Sequence, residues 1–165
     1  FDEGLNPELI KQMEKDVERN ICIYGELQSL YEQNLNTIVF ACSLKHTKLL
    51  HKICILTGMK VGKIDDKTSY QKRKEIVNNY KTGEIKIIFN FGVLSTGFDA
   101  PGTKAILIAR PTTSPILYSQ MIGRGLRGPK FNGNKECLLI DIKDNLIGLP
   151  DEKDCFSLFN HYYRS

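Results

Sequence analysis

Five short stretches of the chain are apolar almost without interruption. They are TIVFAC (37–42), ICILT (53–57), KIIFN (86–90), KAILIA (104–109) and ECLLIDI (136–142). A strand with one face in water would alternate apolar and polar residues, and these do not. Continuous runs of this length fit strands buried on both faces of a parallel sheet. Segments with helical patterning, at 44–52, 69–80 and 115–122, separate most of them. The alternation predicts an α/β layered fold with right-handed crossovers. In such a sheet, ligands gather beyond the carboxyl ends of the strands. The loops that begin near Ser43, Thr57, Asn90, Ala109 and Ile142 are therefore expected at the working edge.

The amino-terminal region has a different rhythm. NPELIKQMEKDVERN offers Asn6 as a helix cap and Pro7 at the first helical position. Leu9, Met13 and Val17 recur at four-residue spacing, a narrow apolar stripe. A second helix is predicted over Cys22 to Gln33. Residues 1–35 are expected to form a helical lead-in or linker packed on a domain spanning 36–165. PKFNGNKE (129–136) reads as a polar, exposed turn.

Bulk properties narrow the function only a little. The 165 residues suffice for one domain with a real core. The net charge of +4 permits an anionic partner without demanding one. Five cysteines are scattered with no CxxC pair, and the three histidines lack ligand spacing, so no metal site is expected. Cys42 and Cys54 lie in apolar runs and read as buried thiols. No apolar run reaches the roughly 18 residues that span a membrane, and no signal peptide is evident. A cytoplasmic protein without a membrane partner is the expectation. A start at Phe1 rather than methionine points to excision from a longer chain.

A nucleotide site is the next question. TGMKVGKI (57–64) has three residues between Gly58 and Gly62 where a phosphate loop needs four. Ile64 follows Lys63 where that loop needs Ser or Thr. Asp141 ends a predicted strand but has no phosphate loop to partner it. The chain is not expected to hold a magnesium nucleotide by itself.

YSQMIGRGLRG (118–128) nevertheless looks built for an anion. TSPILYSQMI reads as a helix capped by Ser114, with Pro115 first, that weakens at Gly123. Arg124 and Arg127 are three apart and share a face if the turn continues. A guanidinium offers a fixed fork of donors suited to phosphate oxygens. The surrounding glycines remove bulk where a ligand must come close. The plainer alternative is a solvated basic turn. In NFGVLSTGFDAPGTKAILIARPT (90–112), Gly97 and Asp99 follow a predicted strand. Asp99 could accept hydrogen bonds from a ribose or simply form a turn.

The order TIVFACS, GVLSTGFDAP, ARPTTSPILYSQMIGRGLRG, with a following LID strand, resembles the second RecA-like motor domain of superfamily 2 helicases. It is most similar to DNA-acting members, the motor subunits of type I restriction enzymes and related DNA-repair helicases. The resemblance covers about Asn36 to Asn145. It implies a RecA-like, three-layer sandwich of the P-loop NTPase type, with a mainly parallel sheet and without the P-loop itself. It implies ATP with Mg2+, held mainly by an upstream RecA-like domain, and DNA as partner, RNA less so. Gln120, Gly123, Arg124 and Arg127 match the motif whose arginines reach that ATP, the two arginines as catalytic fingers. Gly97 and Asp99 match a motif that touches nucleotide and nucleic acid, with Ser95 and Thr96 on its nucleic-acid side. Ser43 matches a motif near the nucleic-acid backbone, followed by Lys45, His46 and Lys48. Gly58 matches a loop placed against the tracked strand, with Lys60, Lys63 and Lys67 after it. Some relatives carry a threonine where this chain has Phe91. Ser43 is expected to cap the following helix as well.

Overall fold

A sheet buried on both faces needs helices on both faces, and the computed structural model has that arrangement. It describes residues 6–93, 100, 102–111, 115–123 and 136–142. The elements run α1 (Pro7–Lys15), α2 (Val17–Glu32), β1 (Thr37–Ala41), α3 (Leu44–Leu56), β2 (Val61–Ile64), α4 (Tyr70–Thr82), β3 (Ile87–Asn90), β4 (Ala105–Ala109), α5 (Pro115–Ile122) and β5 (Leu138–Asp141). The described strands form one sheet in the order β2-β3-β1-β4-β5, and every pairing is parallel.

Successive strand residues point to opposite faces, and both faces are apolar. Ile38, Phe40, Ile88, Ile106 and Ile108 pack against Ile76 and Tyr80 of α4 and Tyr118 and Met121 of α5. Val39, Phe89, Ala105 and Leu107 pack against Ile23, Leu27 and Leu30 of α2 and Leu50 and Cys54 of α3. This is the α/β layered fold expected from the apolar runs, in the three-layer form that the RecA-like resemblance implies. Helix α2 supplies part of one layer. Among the described residues, no helix is long and apolar enough to cross a membrane.

Two expectations about elements are corrected. ICILT is not a strand; it is the last part of α3. His46, Thr47, Leu50 and Cys54 are buried at helical spacing, which carries the helix through Leu56. Gly58 ends it at φ +84°, with Gly58 N–H donating to Ile55 O and Met59 N–H to Cys54 O. That paired closure needs a residue in the left-handed region, and glycine takes it at least cost. The strand is VGKI instead, and Gly62 disguises it. A Cβ there would lie 2.8 Å from Ile76 Cγ2, so α4 packs directly on the bare backbone. The second correction is at Asp16, which stands in extended geometry between α1 and α2 and caps α2 by accepting from Arg19 N–H at 3.0 Å. The second helix therefore starts at Val17, not Cys22.

The topology sets where chemistry can happen. From β1 the chain leaves through α3 toward β2; from β4 it leaves through α5 toward β5. β1 and β4 are neighbours, with Ala41 opposite Ala109. Their connections depart to opposite faces, because α3 and α5 lie in different layers. The crevice at their carboxyl ends is the switch point of this sheet.

Two glycines test the helix reasoning. Gly25 lies inside α2 with nothing within 4 Å of an added Cβ. Gly25→Ala is expected to stabilise the fold by about 0.5–1 kcal/mol. Gly58→Ala, at positive φ, is expected to destabilise it by about 1 kcal/mol. Denaturant melts of the two variants check both signs.

Candidate functional site

Ser43 begins α3 at the carboxyl end of β1. Its Oγ accepts from His46 N–H at 3.0 Å, and its carbonyl accepts from Thr47 Oγ1 at 2.7 Å. The cap expected of Ser43 is present, and it places the amino end of α3 at the carboxyl end of β1. Lys45 and Lys48 are exposed on the same helix.

His46 does something else. It is fully buried. Nε2 lies 2.8 Å from Asn20 Oδ1, while Nδ1 lies 3.4 Å from Cys42 N and 3.1 Å from Cys42 Sγ. The Cys42 N–H can only donate, so Nδ1 accepts and Nε2–H donates to Asn20. Burial, and then the nearby Arg19 charge, lower the His46 pKa to about 4. The side-chain contact with nucleic acid expected of His46 is therefore corrected: its ring holds the β1–α3 loop from inside.

Gly58 lies apart from this edge. It precedes β2, and Lys60 O accepts from Lys86 N–H just ahead of β3. Gly58 thus lies at the amino edge of the sheet, a strand length of roughly 13 Å from the carboxyl edge. Its glycine is explained by ending α3. Of the lysines after it, Lys63 lies in β2 and pairs with Asp65. Burial opposes ionisation of Asp65, but hydrogen bonds from Lys63 and Thr68 outweigh it and hold its pKa below the usual value. Arg73 from α4 closes this β2–α4 turn, donating to Thr68 O at 2.8 Å and Asp65 O at 3.2 Å.

At the other side of the crevice, Arg110 follows β4 and Phe91 follows β3. The Arg110 guanidinium sits 5.8 Å from the Phe91 ring centroid, a cation–π contact across the end of β1. Phe91 here supplies an aromatic face. Beyond β3, Thr103 Oγ1 donates to Ala100 O at 2.8 Å and lies 3.1 Å from the Tyr80 hydroxyl. Those bonds fix the chain just after Asp99.

Helix α5 is anchored at the same edge. Tyr118 OH donates to Asp141 Oδ2 at 2.9 Å, and Asp141 is the last residue of β5. Gln120 and Gly123 are exposed on α5 and its end. Gly123 N–H donates to Ser119 O at 2.9 Å, and a Cβ on Gly123 would lie 3.2 Å from that oxygen. The backbone is tight where the glycine stands. Arg124, Arg127, Gly97, Asp99, Ser95, Thr96 and Ser114 lie outside the described residues. Sequence reasoning misses Arg19, Asn20 and Arg110 as parts of this edge. Arg19 has a legible signal, being the one basic residue of VERN on a helix that elsewhere buries Ile23, Leu27 and Leu30.

Comparison with known proteins fits this geometry. The family model of the helicase conserved C-terminal domain matches residues 18–128. IRC3 of Saccharomyces cerevisiae, which carries the name of an ATP-dependent helicase, is 34% identical over 106 residues, 64% of this chain and 15% of that protein. The ATP-dependent RNA helicase DBP5 of Phaeosphaeria nodorum is 26% identical over 131 residues, 74% of this chain and 28% of that protein. The crystal structure of T4 UvsW superposes with a TM-score of 0.66 at 23% identity, over 84% of this chain and 28% of that one. The likeness to UvsW is one of fold. The chain spans less than a third of the length of either curated relative.

His46 makes the packing of this edge sensitive to acid. An unfolded imidazole near 6.5 binds protons more readily than the folded one near 4. Its contribution is complete above pH 6.5 and falls by about 3 kcal/mol as the pH drops toward the folded value. His51, lowered by burial and by Lys63, acts in the same direction. Thermal melts across the window between the unfolded and folded imidazole values are expected to fall less steeply for His46→Gln than for wild type. Equal slopes would remove His46 as the source.

Proposed function

This chain belongs to the helicase conserved C-terminal domain family, and on that premise we propose that it is the second motor domain of an ATP-dependent DNA helicase or translocase. Its RecA-like fold carries no phosphate loop, so ATP and Mg2+ are held by an upstream RecA-like domain of the complete polypeptide. The observation that carries this reading is the switch-point crevice. The Ser43 turn, the Arg110–Phe91 contact and the α5 helix tied to Asp141 all meet the same carboxyl edge. The sequence continues from Gly123 directly into Arg124 and Arg127.

Phosphoryl transfer depends on positioning and on stabilising spread negative charge, and an arginine delivered from a second domain raises the rate by about 10³–10⁵. Arg124 and Arg127 take that role, and Gln120 and Gly123 bring the turn close to the phosphates. Gly97 and Asp99 face nucleotide and nucleic acid between the domains. Closing and opening the cleft then couples hydrolysis to movement along the strand. Ser43, Lys45, Ser95 and Thr96 hold the nucleic-acid backbone, a contact that is independent of sequence and weakened by salt.

DNA is favoured by the GFDAP and YSQMIGRGLRG motifs, which resemble those of DNA-acting motors. RNA is the second reading, favoured by the likeness to an RNA helicase. The reading predicts that this chain alone turns over no ATP. In the complete polypeptide, Arg127→Ala is expected to lower hydrolysis by at least about 10³-fold while ATP affinity stays nearly intact. Normal turnover in that variant would remove the finger assignment. ATPase stimulation by duplex DNA against single-stranded RNA decides between the two nucleic acids.

A further inference from the structure

Two residues at the start of α2 reach both sides of the crevice. Arg19 is only 6% exposed, and its Nη2 donates to the carbonyl of Ala109 at 3.0 Å, at the end of β4. Asn20, the next residue, accepts from His46 Nε2–H at 2.8 Å. His46 in turn accepts from the Cys42 N–H at the end of β1. Asn20 is itself held, since Nδ2 donates to Glu14 O at 2.9 Å across the α1–α2 break. Asp16 caps the same turn. The hydrogen bonds therefore run from one turn of helix to the last residue of β4 and to the residue that follows β1.

These are the two strands whose connections part at the switch point. One leads into the Ser43 turn, the other through Arg110 into α5. A buried guanidinium is a costly way to fill a helix–sheet contact, because an apolar side chain of similar size would do so without desolvating a charge. A fully buried His bonded to a half-buried Asn has the same drawback. Stability alone does not account for polar groups at this place. Polar networks do fix geometry, because each bond has a length and a direction.

We infer that the first turn of α2 is a positioning clamp, in which Arg19 and Asn20 hold the β4–α5 and β1–α3 connections in one fixed relation, so that nucleic acid bound at the Ser43 turn raises ATP turnover. The inference rests on the motor reading above. Neither residue touches substrate; both act through the loops they hold. Neutral His46 suits the role, since its lowered pKa keeps the donor and acceptor pattern unchanged at ordinary pH.

The test uses the complete polypeptide and measures ATP turnover against increasing duplex DNA and, separately, single-stranded poly(U) RNA. Asn20→Ala and Arg19→Met are expected to need about tenfold more nucleic acid for half-maximal stimulation, with unstimulated turnover unchanged. Asn20→Asp keeps the acceptor for His46 but loses the donor to Glu14 O, and is expected to recover only part of the wild-type response. Leu30→Ala, at the far end of the same helix and buried in its core contact, is the control for lost stability. It is expected to melt earlier yet respond as wild type. A wild-type response in both Asn20→Ala and Arg19→Met would overturn the clamp, as would an equal loss in Leu30→Ala. A wild-type protein that neither nucleic acid stimulates would overturn the motor reading, and the clamp with it.

Discussion

Burial of one parallel sheet on both faces is the constraint from which the remainder of the structure follows. Ile38, Phe40, Ile88, Ile106 and Ile108 on one side, and Val39, Phe89 and Leu107 on the other, must all leave water. Among the described residues, α4 and α5 cover the first face and α2 and α3 the second. Once the faces are covered, polar chemistry is confined to the ends of the strands. Parallel pairing brings all carboxyl ends to one edge, so residues far apart in sequence converge there. Ser43, Phe91, Arg110 and Asp141 follow or end four different strands, and one edge receives them all.

The switch between β1 and β4 makes that edge a crevice rather than a rim. Chains leaving to opposite faces open a gap between them. Near it stand groups that are held before any ligand arrives. Ser43 is fixed by capping, Arg110 lies against an aromatic ring, and Tyr118 is tied to Asp141. A cleft wall of this kind suits a reaction whose catalysis is mostly placement of charge.

Much of this is legible in the residues taken in order. Four of the five apolar runs contain strands, and three of those strands, β1, β3 and β4, are buried along their whole length. Ser43 and Asn6 cap helices as their positions suggest, and Ser69 caps a third. The reading fails where one local signal carries two meanings. ICILT has the composition of a buried strand, but Leu50 and Cys54 bury at helical spacing with the turns before them. VGKI looks like a loop because Gly62 is bare, yet it is bare so that Ile76 can approach. His46 looks like a surface cation among lysines, and its partners are Asn20, 26 residues before it, and Cys42, one turn back. A pairing across that distance leaves no local pattern. The motif residues Arg124, Arg127, Gly97 and Asp99 are legible from resemblance, and they lie outside the described residues.

The central claim is that the arginines after α5 serve a nucleotide bound by another domain. It is tested most directly by a crystal structure of the complete polypeptide with nucleic acid, ADP and aluminium fluoride as the mimic of the transferring phosphoryl group. The account predicts Arg124 or Arg127 within about 3 Å of the fluoride ligands, in the range of charge-assisted hydrogen bonds. A closed complex in which both guanidinium groups point to solvent, with the mimic held wholly by the upstream domain, would contradict it.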